Sequence, residues 1–260
     1  MQVSNGFSAR ALDRAQASQQ TQAQNLSSGK RINSAQDDAA GLVISTGLDT
    51  QHRAQGAALR NSLDGVSRLQ VEDAALSSVA EDLQRIRELT LQQQNGIFNE
   101  GDSQALQAEI DQRLESIEQV FKHSDFNGRS LFESAQGNIQ SGVHPGQSIA
   151  ISHQDLAAQF SAMGVSAGED LELDALDEAL QEVSSRRSEL GALESRLQGN
   201  AEFLALRSES NQSANSRIRD TDLAQSVSLK TKADVQFKVA VAVQGQANAN
   251  QQDVLRLLKP

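Results

Sequence analysis

The sequence predicts a mainly α fold: an elongated, folded-back helical bundle or coiled coil with a small central β-hairpin region. Three observations carry this. Only Pro145 and the terminal Pro260 lack a backbone amide, so two long proline-free flanks surround a short centre. Apolar residues recur on both flanks at three- and four-residue steps, drawing stripes that need a partner helix. Aromatic residues make up only 3% of the chain, with no Trp or Tyr, which suits thin helix seams better than a thick globular core.

The N-terminal segment has a weak seam, with Val3, Phe7, Leu12 and Leu26 scattered among Ser, Gln and Ala. A joint follows. In Leu26-Ser-Ser-Gly-Lys-Arg-Ile-Asn-Ser-Ala-Gln-Asp-Asp-Ala-Ala-Gly-Leu42, residues Ser27, Ser28 and Gly29 favour a turn. Ser34 lies three residues before Asp37, the spacing of a capping box that opens a helix. Beyond it, Leu59, Leu63, Val66, Leu69, Leu76, Val79, Leu83, Ile86 and Leu89 form one stripe and predict a helix from about Ala39 to Gln94. Asn95-Gly96 and Asn99-Glu-Gly101 punctuate the chain, and Leu106, Ile110, Leu114, Ile117 and Phe121 start a second helix.

Residues 126–168 hold six of the seventeen glycines, so turn chemistry concentrates there. Asn127-Gly128 is a turn signal, and His144-Pro145-Gly146 suits a type II turn. Val143, Ile149 and Ile151 add fragments of two-residue alternation, which predict short strands or a hairpin. The returning flank has its seam at Leu176, Leu180, Val183, Leu190, Leu197, Ala201, Leu204 and Ile218. The last segment, Leu223 to Leu258, has a weaker seam through Val227, Phe237, Val241, Leu255 and Leu258. Both termini bury too little apolar surface to order alone, and are expected to order on assembly.

The net charge of −11 is unevenly spread. Residues 99–182 carry sixteen acids against three bases, which argues against nucleic-acid binding, whereas both ends are mildly basic. The absence of cysteine removes disulfides and thiolate metal sites. No apolar stretch reaches the roughly 20 residues that span a bilayer, and Met1 to Asn25 lacks an apolar signal-peptide core. An extracellular role therefore requires a dedicated exporter.

Nor do the residues point to catalysis. Gly29-Lys30 lacks the flanking residues of a phosphate loop, since Gln24 and Arg31 stand where Gly and Ser or Thr are needed. The four histidines show no metalloprotease spacing. Asp37-Asp38 near a helix start complements the helix dipole, and Ser45 lacks the glycine of a nucleophile elbow. The expectation is a protein without enzyme activity, cofactor or metal.

The Leu26–Leu42 run resembles the N-terminal signature of bacterial flagellins. Leu83-Gln-Arg-Ile-Arg-Glu-Leu89, Gln107-Ala-Glu-Ile-Asp-Gln-Arg-Leu114 and Phe126-Asn-Gly128 are similar to the rod of that family. Glu189–Leu197 and Ala214–Asp222 resemble its returning helix, and Gln246-Ala-Asn248 with Val254–Leu258 resembles its terminus. The resemblance implies a short-form subunit that polymerises into an extracellular filament for motility. It implies an inner terminal-helix domain of residues 1–36 with 220–260, a rod of residues 37–219 with a hairpin region near 126–168, and little or no outer variable domain. Its joint would comprise Ser28, Gly29, Arg31, Asn33, Asp37, Asp38 and Gly41, and its assembly seams Phe7, Leu12, Phe237, Val241, Leu255 and Leu258.

Implied partners are further copies of the chain, a flagellar type III export apparatus and its chaperone, and cap and junction proteins. The family is also read by a vertebrate Toll-like innate receptor, with implied contacts at Arg85, Leu89 and Glu109. Two alternatives stay open. Ser28-Gly-Lys-Arg31 also occurs in hook–filament junction proteins, and an intracellular coiled-coil adaptor would account for the periodicity alone.

Overall fold

A computed structural model of the protein describes residues 2–95, 98–132, 137–152, 154–166 and 171–257, with side chains of residues 2–8, 254, 255 and 257 not described. Among the described residues six helices and two strand pairs follow in chain order: α1 (Gln2–Ser28), α2 (Ala39–Gln93), α3 (Glu100–His123), β1 (Asp125–Phe126), β2 (Arg129–Ser130), β3 (Gly137–Gln140), β4 (Ser148–Ile151), α4 (Leu156–Ala162), α5 (Leu173–Arg219) and α6 (Leu223–Leu257). The chain divides into two compact units, one of residues 1–51 with 209–260 and one of residues 52–208. The division falls within α2 and α5, whereas the sequence places its boundary in the turns beside them.

Unit 52–208 contains one continuous core. Val66, Leu69, Leu76, Val79, Leu83, Ile86 and Leu89 of α2 meet Ile110, Leu114, Ile117 and Phe121 of α3 and Leu176, Val183, Leu190 and Leu197 of α5. The stripe therefore does what its spacing predicts from Val66 onward, whereas Leu59 is only partly buried and Leu63 is half exposed. Helix α3 opens on a capping box: the Asn99 side chain accepts from the Asp102 amide at 2.9 Å, and the Asp102 side chain accepts from the Asn99 amide at 3.4 Å. Phe121 closes the core edge-on against Phe132 and Phe160, with ring centroids 5.1 and 5.3 Å apart.

Both turn signals form. Asn127 and Gly128 have φ of 55° and 72°, the pair of positive values that a two-residue type I′ hairpin requires between β1 and β2. Pro145 and Gly146 sit at the centre of a turn closed by the Gln147 amide donating to the His144 carbonyl at 3.2 Å. Gly146, with φ of 84°, supplies the positive angle of a type II turn. This turn joins β3 to β4, which pair antiparallel with Ile139 opposite Ile149. Ile149 and Ile151 face the core as their alternation predicts. Val143 lies in the loop instead, and the partner strand is Gly137–Gln140, whose single apolar side chain, Ile139, shows too little alternation to be read.

A buried ion pair replaces an apolar contact in this core. Arg186 and Glu72 have side chains 2% and 1% exposed, and the guanidinium donates to one carboxylate oxygen at 2.5 and 3.0 Å. Arg186 also donates to the Ser152 carbonyl at 2.8 Å, just past β4. The arginine thus pins the end of the hairpin between α2 and α5.

Candidate functional site

The joint lies in the other unit, where the chain passes from α1 to α2 beside its passage from α5 to α6. Gly29 ends α1 with φ of 67°, a left-handed angle that glycine adopts without a Cβ penalty. The chain then pairs with the opposite passage: Lys30 bridges Asp220 antiparallel, the Arg31 amide donates to the Arg219 carbonyl at 2.7 Å, and the Thr221 amide donates to the Gly29 carbonyl at 3.1 Å. Side chains cross the same line. Arg31 donates to the Ile218 carbonyl at 2.6 Å, and Arg219 donates to the Ile32 carbonyl at 3.4 Å.

Two aspartates then shape the turn into α2. The Asp37 carboxylate accepts from the Asn33 amide at 2.9 Å and from the Ser34 amide and hydroxyl at 2.8 and 3.2 Å. The bonds from the Ser34 and Asn33 amides hold its pKa below the ordinary 3.8, against a smaller opposing effect of desolvation. The helix itself is capped by Asp38, which accepts from the Gly41 amide at 2.8 Å. This corrects the sequence reading: Ser34 belongs to the preceding turn, and Asp38 is the residue that caps α2.

Gly41 is fixed by space. A Cβ there would overlap Asp38 Oδ2 and lie 2.8 Å from Ile32 Cδ1. Ile32 is fully buried, so neither the cap nor the plug can yield freely. Asn33 donates to Asn25 Oδ1 at 2.8 Å and to the Lys30 carbonyl at 3.0 Å, and Ser28 Oγ accepts from the Lys30 amide at 3.2 Å. All seven joint residues chosen from the sequence therefore stand in one small network. Sequence reasoning missed Ile32, the apolar plug in a polar run, and Arg219 to Thr221, whose contribution depends on a pairing distant in sequence.

From the joint, α1 and α6 run packed against each other, tied by Gln19 donating to Asp234 at 2.9 Å. Lys230 first, then Gln19, holds the Asp234 carboxylate below its ordinary pKa. The pair is thinly packed. No described side chain of α1 is buried, and only Ser226 and Ala233 of the described side chains of α6 are. Leu12 and Phe237 are half-buried, whereas Val235, Val239, Val241 and Val243 are about half exposed. Val235, Val239 and Val243 line an open groove of about 540 Å³ with Ala11, Ala15 and Arg14. The side chains of Phe7 and Leu255, and Leu258 altogether, lie outside the described residues.

The three implied receptor contacts sit apart from the joint, in unit 52–208. Arg85 pairs with Glu109 at 3.2 Å and with Glu88 at 3.1 Å, and these partners raise its pKa, Glu88 most. Leu89 is 1% exposed and faces the core. Arg85 and Glu109 thus share a surface that the Leu89 side chain does not reach.

Residues 4–137 match the bacterial flagellin N-terminal helical region, and residues 173–258 match the bacterial flagellin C-terminal helical region. A flagellin of Halalkalibacterium halodurans is 39% identical over 90% of this chain and 89% of its own length. The flagellar filament 31.3 kDa core protein of Treponema maltophilum is 32% identical over 97% of this chain and 96% of its own. The crystal structure of Bacillus cereus flagellin superposes with a TM-score of 0.50 at 28% identity, covering 56% of this chain and 88% of that one. The first region takes in the β1–β2 hairpin, the β3–β4 hairpin falls between the two, and together they include the joint and helices α1, α2, α3, α5 and α6; the chain belongs to the bacterial flagellin family.

Proposed function

We propose that this chain is a structural subunit that polymerises into the bacterial flagellar filament, an extracellular appendage for motility. The observation that carries the reading is the contrast within one molecule. Unit 52–208 has a full apolar core, while the α1–α6 pair leaves a valine face half exposed. Full burial of a valine stabilises by about 1.5–3 kcal/mol relative to exposure, so covering several half-exposed valines on each subunit supplies a driving force for assembly. Contacts of one subunit surface with a different surface of the next, repeated without closing a ring, produce a helical filament.

In this reading residues 1–36 with 220–260 form the inner part of the assembly and residues 37–219 its rod, with the joint between them. Export would need a chaperone that covers α6 before assembly, and the filament would meet cap and junction proteins at its ends. A Toll-like receptor would read Arg85 and Glu109, with Leu89 acting only by holding α2 in place.

Electron microscopy of seeded, purified protein tests the reading. The full chain should form filaments, and a chain lacking residues 241–260 should remain dispersed. Protein that stays monomeric under seeding, or a truncation that polymerises normally, overturns it.

A further inference from the structure

Among the described side chains only two phenylalanines are exposed, Phe98 and Phe203, and their surroundings carry opposite charge. Phe203 is 55% exposed on α5 beside a cavity of about 350 Å³ walled by the β3–β4 loop. Arg196 and Arg207 line the same cavity, and the Arg207 guanidinium lies 5.4 Å over the Phe203 ring. Among the described residues neither arginine forms an ion pair, whereas Arg85, Arg87, Arg113, Arg186 and Arg187 of the same unit do. The wall is preorganised. Asn200 donates to the Ser141 carbonyl at 2.7 Å and to Ser62 Oγ at 3.2 Å, and Gln140 donates to the carbonyls of Gly142 and His144 at 3.0 and 2.7 Å.

Phe98 is 42% exposed in the loop between α2 and α3, followed at once by the exposed acids Glu100 and Asp102. The capping box at Asn99 fixes the start of this acidic stretch. An aromatic ring with two carboxylates therefore faces outward at one place, and an aromatic ring with two guanidinium groups that have no acidic partner among the described residues at another. The two cannot meet within one molecule: Phe203 lies beside the level of Ser62, and from Ser62 to the end of α2 is roughly 45 Å at 1.5 Å per residue.

We propose that the Phe98–Asp102 segment of one subunit, which runs into the first turn of α3, docks into the Phe203–Arg196–Arg207 site of a second copy. The contact joins unlike surfaces, so it passes from copy to copy and builds a helical filament where the rotation between copies does not close a ring. Ring packing supplies apolar contact and the paired charges fix the register, as complementary potentials do at other interfaces. This rests on the filament reading and adds to it a defined subunit contact.

The absence of cysteine makes a direct test clean. The Gln104→Cys/Glu202→Cys chain keeps both rings, both arginines and both carboxylates, and places thiols on the two exposed surfaces. A short bis-maleimide added to its filaments should give a ladder of covalent oligomers on denaturing gels, while each single-cysteine chain stays monomeric. In parallel, Arg207→Glu should raise the critical concentration for polymerisation about tenfold, and adding Glu100→Arg should restore most of it. Filaments of the double-cysteine chain that yield no ladder overturn the contact, as does an Arg207→Glu chain that polymerises like the wild type or is not rescued. In both cases the filament reading stands, because filaments have formed. A wild-type chain that forms none removes both.

Discussion

Asp37 shows how a single carboxylate sets the geometry of the joint. Its shift is downward, so its bonds to Asn33 and Ser34 favour the folded turn above the unfolded aspartate pKa, and that contribution is lost as pH falls through the lower folded value. The amide resonances of Asn33 and Ser34 should therefore titrate together with a midpoint below 3.8, and Asp37→Asn should abolish the step. A midpoint at or above 3.8 would show that the carboxylate does not accept those amides. The sequence makes this residue conspicuous but misassigns its neighbour, since Ser34 and Asp38 both satisfy cap chemistry at the right distance from a helix start. What decides is Gly41. Its amide reaches Asp38, and its missing side chain leaves room for Ile32, a contact that spacing alone does not reveal.

At the level of elements, legibility follows periodicity. Helix α2 was readable to within one residue at its end because seven apolar positions from Val66 to Leu89 share a face, and the hairpins were readable where Asn-Gly and Pro-Gly fix the turn type. The Arg186–Glu72 pair was not, because two charges at seam-adjacent positions read as solvated until the hairpin covers them. Removing one partner of such a pair strands the other charge in the core, which costs about 3–5 kcal/mol, whereas exposed ion pairs on the same helices contribute about 0–1 kcal/mol. Glu72→Ala should therefore lower the stability of the 52–208 core by about 3–5 kcal/mol, measured by chemical denaturation followed by circular dichroism. Asp177→Ala, which breaks the exposed pair with Arg87, should change it by less than about 1 kcal/mol. Equal losses in the two variants would mean that Arg186 finds another partner, and that the hairpin is held by its own packing.

For the molecule as a whole, the division of labour lies between a unit that completes its core and one that does not. The valine face on α6 was only partly visible in the sequence. Val241 stood out by its step, while Val235, Val239 and Val243 fall between seam positions and stay about half exposed beside α1. Surfaces reserved for other copies break the intramolecular period, as Phe203 does on α5. The central claim is that α1 and α6 gain their full packing only in the assembly. Amide hydrogen exchange, followed residue by residue in monomer and filament, tests it most directly. Slow exchange in α2, α3 and α5 of the monomer, fast exchange in α6 and strong protection of α6 in the filament are the expected result. Full protection of α6 in the monomer, unchanged on polymerisation, would contradict the account.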